Sequence, residues 1–217
     1  MKPLNKVKIQ WSPEFAYALG LLVTDGNLSP DGRHINFTSK DEDLVRSFKK
    51  CLNLSNKIGK KSREKEKIKR YHVVQFGDIK FYEFLLKIGL MPNKSKKLSD
   101  LEIPKEYFFD FLRGHFDGDG TFYSYWDPRW KHSFMFYTVF VSASKPHIEW
   151  LRRKIRGFSD LNGYVTKSRN QSIYELRYAK KESLRLLKKI YYSDEVICLS
   201  RKRLKVQKAL AIIGEKL

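Results

Sequence analysis

Two short segments of the sequence carry the residue types that could do chemistry. ALGLLVTDG contains Gly20 and Asp25, and LRGHFDGDG contains Gly114 and Asp119 at the same spacing. A glycine inside an apolar helix costs about 1 kcal/mol relative to alanine, so close packing of two helices is the expected compensation. If Gly20 and Gly114 face each other, Asp25 and Asp119 emerge together at one end of the helix pair.

Two carboxylates brought together repel each other unless a cation lies between them. Hard oxygen ligands favour Mg²⁺-like ions, and such ions support phosphodiester hydrolysis by activating water and neutralising phosphate charge. A single Asp-Gly at a helix end is more simply a cap before a turn. Because the arrangement occurs twice, the sequence favours a metal-dependent site over two caps.

The surrounding pattern predicts the elements that would hold these residues. Ser12-Pro13-Glu14 is typical of a helix start, and the following run is apolar nearly all round, which predicts a buried helix. A hairpin around SPDG, an amphipathic helix in KDEDLVRSFKKCLNL, a basic stretch over residues 57–72, a strand in YHVVQFG and a helix in DIKFYEFLLKIGL follow. The connector MPNKSKKLSDLEIP ends where Pro104 opens the next helix.

The same order of elements then repeats. TSKDEDLVRSFKK aligns with ASKPHIEWLRRKI, and QFGDIKFYEFLLK aligns with RYAKKESLRLLKK, in the same order as the two Asp-Gly segments. This predicts an internal duplication of an αββαββ unit, with halves at residues 1–100 and 101–217. Such a pseudo-repeat mimics a symmetric dimer within one chain.

Composition narrows the class of partner. The 217 residues include 44 Lys+Arg and 24 Asp+Glu, a net charge of +20, with 14% aromatic residues. This aromatic content is too high for a disordered chain, and the charge surplus points first to nucleic acid, then to a membrane surface or to packing in ribosomal RNA. No apolar run approaches the ~18 residues of a membrane span.

Localisation is inferred from the N-terminus and the cysteines. The N-terminus lacks the apolar core of a signal peptide, and Cys51 and Cys198 form no CxxC pair. We therefore expect a reducing intracellular compartment, the cytoplasm of a prokaryote or an organelle matrix.

The two Asp-Gly segments resemble the paired signature of LAGLIDADG homing endonucleases, in the single-chain form with two motifs. The resemblance implies an α+β fold in which two duplicated αββαββα halves form a DNA-binding saddle. It implies an endodeoxyribonuclease that cleaves both strands of a long asymmetric target and leaves short 3′ overhangs. It also implies a monomer that needs double-stranded DNA but no protein partner.

The resemblance also assigns metal ligands. The carboxylates of Asp25 and Asp119 would bind Mg²⁺ or Mn²⁺ together with the backbone carbonyls of Thr24 and Gly118. Ca²⁺, which is larger and more loosely coordinated, is expected to support binding without cleavage.

Two positions depart from the family pattern. Val23 stands where the second motif has Asp117, so Asp117 is not counted as catalytic. Many members carry a glutamine and a lysine at the strand ends, whereas here only Lys40 and Lys145 occupy these regions. A lysine there could polarise the attacking water or shield the phosphate; the alternative is a solvated lysine at a helix start.

Strand alternation predicts which side chains read bases. Polar residues at a two-residue period suit major-groove readout by a β-ribbon, although a register slip of one residue would present the other set. The predicted DNA-contacting residues are Ser29, Asp31, His34, Asn36, Tyr71, Gln75, Tyr123, Tyr125, Arg129, Tyr137, Glu175 and Arg177.

Three functions remain open from the sequence. The first is a homing endonuclease, and because the chain neither starts with Cys or Ser nor ends in His-Asn, an intron-encoded enzyme is expected rather than an intein. The second is a cleavage-deficient DNA- or RNA-binding protein on the same fold, such as a splicing maturase or a regulator. The third is an unrelated basic RNA-binding protein, which the duplicated Asp-Gly helices argue against.

Overall fold

The computed structural model describes residues 5–62, 70–130, 132–168 and 172–217. The chain forms two compact units, one comprising Met1–Lys94 with Leu101–Gly118 and the other Ser95–Asp100 with Asp119–Leu217. The helix of the second motif thus belongs to the first unit. The boundary at residue 100 marks the repeat in the sequence and stays a prediction.

The first unit contains one four-stranded sheet and four α-helices among its described residues. The elements are α1 (Pro13–Asp25), β1 (Gly26–Leu28), β2 (His34–Ser39), α2 (Glu42–Cys51), β3 (Gly59–Lys61), β4 (Tyr71–Gly77), α3 (Ile79–Lys87) and α4 (Phe108–Gly118). The antiparallel strands lie in the order β1-β2-β4-β3. Part of the predicted basic stretch, residues 63–69, lies outside the described residues.

Helix α1 follows from its local sequence. The Ser12 hydroxyl oxygen accepts a hydrogen bond from the Phe15 amide at 3.1 Å, and Pro13 occupies the first turn. Every residue over 15–23 is buried, as the all-round apolar pattern predicts. Helix α4 differs at its start, because a 3₁₀ turn over Lys105–Tyr107 separates it from Pro104.

Asp78 ties the N-terminal segment to the sheet. This buried carboxylate caps α3 by accepting from the Phe81 amide at 3.0 Å, and it also accepts from the amides of Lys6 at 2.7 Å and Val7 at 2.9 Å. The buried charge is thus satisfied by three donors. The sequence patterns did not predict this connection.

The second unit repeats the architecture of the first. Its elements are β5 (Thr121–Trp126), β6 (Phe134–Ser142), α5 (Lys145–Ser159), β7 (Tyr164–Lys167), β8 (Tyr174–Ala179), α6 (Lys180–Ile190) and α7 (Ser200–Ile212). The antiparallel sheet has the order β5-β6-β8-β7. The predicted α+β fold with duplicated halves is confirmed by the two sheets of identical order.

One face of each sheet is covered by helices. In the first unit Phe37 stacks on Phe48 of α2, with ring centroids 4.5 Å apart, and in the second Phe140 and Leu176 lie side by side and fully buried. The intervening residues of each strand lie on the opposite face, because side chains alternate along a strand. No helix within the described ranges is long and apolar enough to cross a membrane.

Candidate active site and nucleic-acid interface

Helices α1 and α4 touch through their backbones. A Cβ on Gly20 would lie 2.1 Å from the carbonyl oxygen of Phe111, and one on Gly114 would lie 2.1 Å from the carbonyl oxygen of Tyr17. Side-chain carbons do not approach backbone oxygens so closely, so both positions require glycine. The structure therefore brings Gly20 and Gly114 together inside the first unit.

The C-terminal ends of the two helices also lie side by side. A Cβ on Gly118 would lie 1.9 Å from Oγ1 of Thr24, and that hydroxyl donates to the carbonyl oxygen of Leu21 at 2.9 Å. Asp25 is the last residue of α1, and Asp119 follows Gly118 directly in the chain. The two residues predicted to supply carbonyl ligands, Thr24 and Gly118, are thus neighbours.

A buried polar network holds this helix pair. The Tyr17 hydroxyl donates to Oδ2 of Asp117 at 2.8 Å, and Arg113 pairs with Asp110 at 2.7 Å while its guanidinium lies 5.4 Å from the Tyr17 ring centroid. Asp117 is buried and bonded to the other helix, and its exclusion from the catalytic set stays a prediction. A valine at the corresponding position of the first motif, Val23, needs no such partner.

A lysine that sequence reasoning missed lies at the end of the first motif. The Nζ atom of Lys94 donates to the carbonyl oxygen of Gly26 at 2.5 Å and lies 3.4 Å from that of Thr24. The side chain is buried, so its ammonium group is held in a protected position at the carbonyl oxygens of the two residues that flank Asp25 in the chain. The only signal in the sequence was the basic connector that contains Lys94.

The second motif has an equivalent lysine. The Nζ atom of Lys202 in α7 donates to the carbonyl oxygen of Gly120 at 2.6 Å, and Lys205, one turn further along, donates to that of Phe122 at 2.7 Å. Gly120 occupies the same motif position as Gly26. In each motif, the carbonyl oxygen of the glycine that follows the aspartate therefore accepts a hydrogen bond from a lysine of a more distant segment.

Lys40 and Lys145, the lysines predicted from the family pattern, lie in other surroundings. The Nζ atom of Lys40 lies 5.4 Å from the centroid of the Tyr71 ring. Lys145 begins α5 and lines an open cleft with Arg152 and Lys167. Their predicted catalytic role stays a prediction.

The open face of the first sheet presents polar side chains. Asn36 and Gln75 are direct cross-strand neighbours, and both are solvent-accessible. In the preceding turn, Asp31 is hydrogen-bonded to Nδ1 of His34 and accepts from the His34 amide at 3.0 Å. The side-chain hydrogen bond from His34 lowers the pKa of Asp31 to about 2. Ser29 is fixed through its carbonyl oxygen, which accepts from the Tyr82 hydroxyl at 2.6 Å.

The open face of the second sheet is aromatic. Tyr123 and Tyr137 pair across the strands with ring centroids 5.2 Å apart, and Tyr125 stacks on both at 6.4 Å. Burial, with a hydrogen bond to Tyr125, raises the pKa of Tyr137 to about 12. Arg177 and Glu175 of β8 form an ion pair on this same face.

The turn between β5 and β6 projects further basic and aromatic groups. The Arg129 guanidinium donates to both carboxylate oxygens of Asp127, at 3.2 Å and 3.1 Å, and these hydrogen bonds lower the pKa of Asp127. Trp126 and Trp130 are exposed in the same region, Trp130 by 69%.

The donors at the motif ends suit a hard divalent cation. Carboxylate and carbonyl oxygens are the ligands that Mg²⁺ and Ca²⁺ prefer. No cluster of three or more His, Cys, Asp or Glu side chains suited to a metal occurs in the part of the chain that the structure describes.

Comparison with known proteins finds a matching family and a relative in sequence. A model of the LAGLIDADG-like domain family matches residues 12–89. The chain is 30% identical over 196 residues to the replication factor C small subunit of Methanocaldococcus jannaschii, a match that covers 85% of this chain and 10% of that protein. The chain thus spans only about a tenth of the length of this curated relative.

Two solved structures share the fold. Full-length WhiA from Thermatoga maritima has a TM-score of 0.59 and 19% identity, covering 97% of this chain and 63% of WhiA. The homing endonuclease I-DmoI, in complex with DNA and Ca, has a TM-score of 0.56 and 15% identity, covering 94% of this chain and 98% of I-DmoI. The family match identifies a LAGLIDADG-like domain at residues 12–89, and the two structures show that the chain shares the LAGLIDADG fold.

Proposed function

We propose that the protein is a metal-dependent, site-specific DNA endonuclease that cleaves both strands of a long asymmetric target and leaves short 3′ overhangs. The observation that carries the proposal is the pairing of the two motif helices through Gly20 and Gly114. This pairing supports a role for both motif ends, since the helix ends at Thr24 and Gly118 are adjacent. The enzyme would act as a monomer, in keeping with a homing function for an intron.

Asp25 and Asp119 are the proposed metal ligands, helped by the carbonyls of Thr24 and Gly118. Mg²⁺ or Mn²⁺ bound there would activate a water molecule and neutralise charge at the phosphate. Structures of I-DmoI with DNA and Mn or Ca support the choice of divalent ions. One carboxylate at each motif end suits a cut in each strand.

Lys94 and Lys202 have proposed roles at the reacting phosphates. A lysine ammonium carries three N–H donors and no acceptor, so the bonds to backbone carbonyl oxygens fix the position of its positive charge. Positive charge held there before the substrate arrives stabilises charge that develops during cleavage. These lysines take over the part that the sequence assigned to Lys40 and Lys145, which remain candidates for outer phosphate contacts.

The two sheet faces are the proposed DNA-reading surfaces. Their exposed side chains alternate with the buried ones at the two-residue period of a strand. Amide groups such as Asn36 and Gln75 suit adenine edges in the major groove. The surplus of basic residues, a net charge of +20, would supply phosphate contacts that hold the protein on the duplex.

The second candidate function is binding of DNA or RNA on the same fold without cleavage, as a splicing maturase or a regulator would do. The likeness to WhiA favours it, because that structure shares the fold over 97% of this chain at a TM-score of 0.59. The presence of both aspartates favours the endonuclease.

The proposal is tested by selection followed by cleavage. Duplexes that bind in Ca²⁺ are selected from a randomised pool and then incubated with Mg²⁺, alongside a library of intron-insertion junctions. Double-strand cuts that EDTA abolishes would support the endonuclease. Tight, sequence-selective binding with no cut in Mg²⁺ or Mn²⁺ would favour the second candidate.

A further inference from the structure

Arg177 is held in a fixed orientation on the open face of the second sheet. Its Nε atom donates to Oε2 of Glu175 at 2.7 Å, Nη2 bonds the same oxygen, and Nη1 donates to the Tyr123 hydroxyl oxygen at 3.3 Å. Both charged side chains are partly covered, Arg177 exposing 32% and Glu175 19%. A long side chain fixed by three bonds has already lost the freedom that most surface arginines keep.

The hydroxyl that orients Arg177 is itself fixed. The Tyr123 ring stacks against Tyr137 with centroids 5.2 Å apart and planes 17° apart, and it stacks against Tyr125 at 11°. Contact with two neighbouring rings restricts the Tyr123 ring and so orients the hydroxyl that accepts from Arg177. The network runs across β5, β6 and β8 and lies wholly within one unit.

The remaining donors of Arg177 match a base edge. A guanidinium carries five N–H groups, and the three bonds to described residues leave one N–H on each terminal nitrogen. Two parallel N–H donors are the group that recognises O6 and N7 of guanine in the major groove. The Glu175 carboxylate is bonded along the Nε–Nη2 edge, so it does not occupy the two remaining N–H groups.

The charge of the pair argues against a phosphate contact. Glu175 neutralises Arg177 locally, so the pair contributes little to the attraction for the DNA backbone, which depends on uncompensated cations. Lysines elsewhere in the chain can supply that attraction without an acidic partner. An arginine that a carboxylate both orients and neutralises is better suited to reading a base than to binding a phosphate.

We propose that Arg177 reads a guanine in the target through its two terminal N–H groups, with Glu175 and Tyr123 as positioning residues. The inference rests on the proposed function, because it requires that this sheet face contacts duplex DNA. It adds the identity of one base in the target, and it separates the residue that contacts this base from the two residues that orient it.

The test removes one acceptor from the base. Duplexes selected from a randomised pool in Ca²⁺ are expected to contain a fixed guanine that Arg177→Gln no longer selects. At that position 7-deazaguanine, which lacks the N7 acceptor but keeps O6, should weaken binding of the unmodified protein about 5- to 10-fold, the lower part of the range for a bidentate contact. Arg177→Gln should bind the guanine and 7-deazaguanine duplexes equally.

The two positioning residues are tested in the same binding measurements with guanine and 7-deazaguanine duplexes. Glu175→Gln and Tyr123→Phe should reduce the discrimination between guanine and 7-deazaguanine more than they reduce binding to a random duplex. Arg153→Lys is the matched control, since this arginine also has an acidic partner, Asp100, but lies in α5; it should leave the 7-deazaguanine effect unchanged. Thermal melting of each variant checks that the fold is kept.

The outcomes separate this inference from the proposed function. If the unmodified protein selects no sequence from the pool, DNA recognition itself fails. If it selects sequences but Arg177→Gln selects the same ones, with the same sensitivity to 7-deazaguanine, Arg177 does not read guanine.

Discussion

The ammonium group of Lys94 lies 2.5 Å from the carbonyl oxygen of Gly26, the residue that follows the first motif aspartate. Lys202 makes the same bond to Gly120 in the second motif, at 2.6 Å. The two lysines come from different kinds of element, a 3₁₀ turn and a long helix, yet they reach equivalent atoms. Such a repeated bond is a stronger indication of function than either lysine alone.

Replacing Lys94 or Lys202 by methionine should slow cleavage about 100-fold, the usual cost of losing one fixed donor at a developing charge, with binding in Ca²⁺ little changed. Single-turnover cleavage of a selected duplex measures this. Lys205→Met is the matched control, because Lys205 makes the same kind of bond to Phe122. Equal losses for Lys202→Met and Lys205→Met would contradict a role specific to the motif end.

Alanine at Gly20 or Gly114 should destabilise the protein by about 3 kcal/mol or more, at the upper end of overpacking effects. The new methyl group would lie 2.1 Å from a backbone oxygen of the facing helix. Urea unfolding of the purified variants measures the free energy. Gly157→Ala in α5 has no atom within 4 Å of the new carbon, so it should instead stabilise by about 0.5–1 kcal/mol. Unchanged unfolding of Gly20→Ala would rule out the close contact between α1 and α4.

The Asp31 carboxyl group should titrate near pH 2, because the side-chain hydrogen bond from His34 lowers its pKa to about 2 from the model-peptide value of 3.8. A lowered pKa in the folded state means that the bond stabilises the fold above the unfolded pKa. This contribution is lost as the pH falls from about 4 to about 2. Carboxyl chemical shifts in an NMR titration measure the midpoint, and His34→Ala should raise it towards 3.8. A midpoint that His34→Ala leaves unmoved would exclude the pairing.

DNA binding should depend steeply on salt. Each neutralised phosphate contributes about −0.9 to the slope of log K against log salt, and a protein of this charge is expected to make on the order of 6–10 such contacts. Affinity for a selected duplex, measured in Ca²⁺ from low to high salt, gives the slope. A slope near zero would contradict the account that the net charge of +20 serves to bind the DNA backbone.

Much of the fold follows from local pattern. The start of α1 at Ser12-Pro13, the hairpin that follows it and the duplicated order of elements were all readable, because caps, turns and periodicity are local signals. The 3₁₀ turn before α4 and the bonds from Asp78 to the N-terminal segment were not, since each depends on partners far along the chain or on details of one turn.

The site was predictable only in part. The spacing of Gly20, Asp25, Gly114 and Asp119 is a sequence property, and so is strand alternation, which separated open from buried faces. Lys94 and Lys202 were hidden within basic runs, where every lysine looks alike until packing selects one. The bond from Arg177 to Tyr123 joins strands 54 residues apart, and no sequence period indicates it.

The central claim is that Asp25 and Asp119 bind the catalytic metal. DNA cleavage by the Asp25→Asn and Asp119→Asn variants tests it most directly. Each variant and the unmodified protein are given a duplex selected in Ca²⁺, and binding and double-strand cutting in Mg²⁺ are measured in parallel. Because asparagine keeps the size but removes the charge that binds the cation, both variants should bind within a few-fold of the unmodified protein and make no double-strand cut. Double-strand cutting at the normal rate by either variant would contradict the assignment of the motif aspartates.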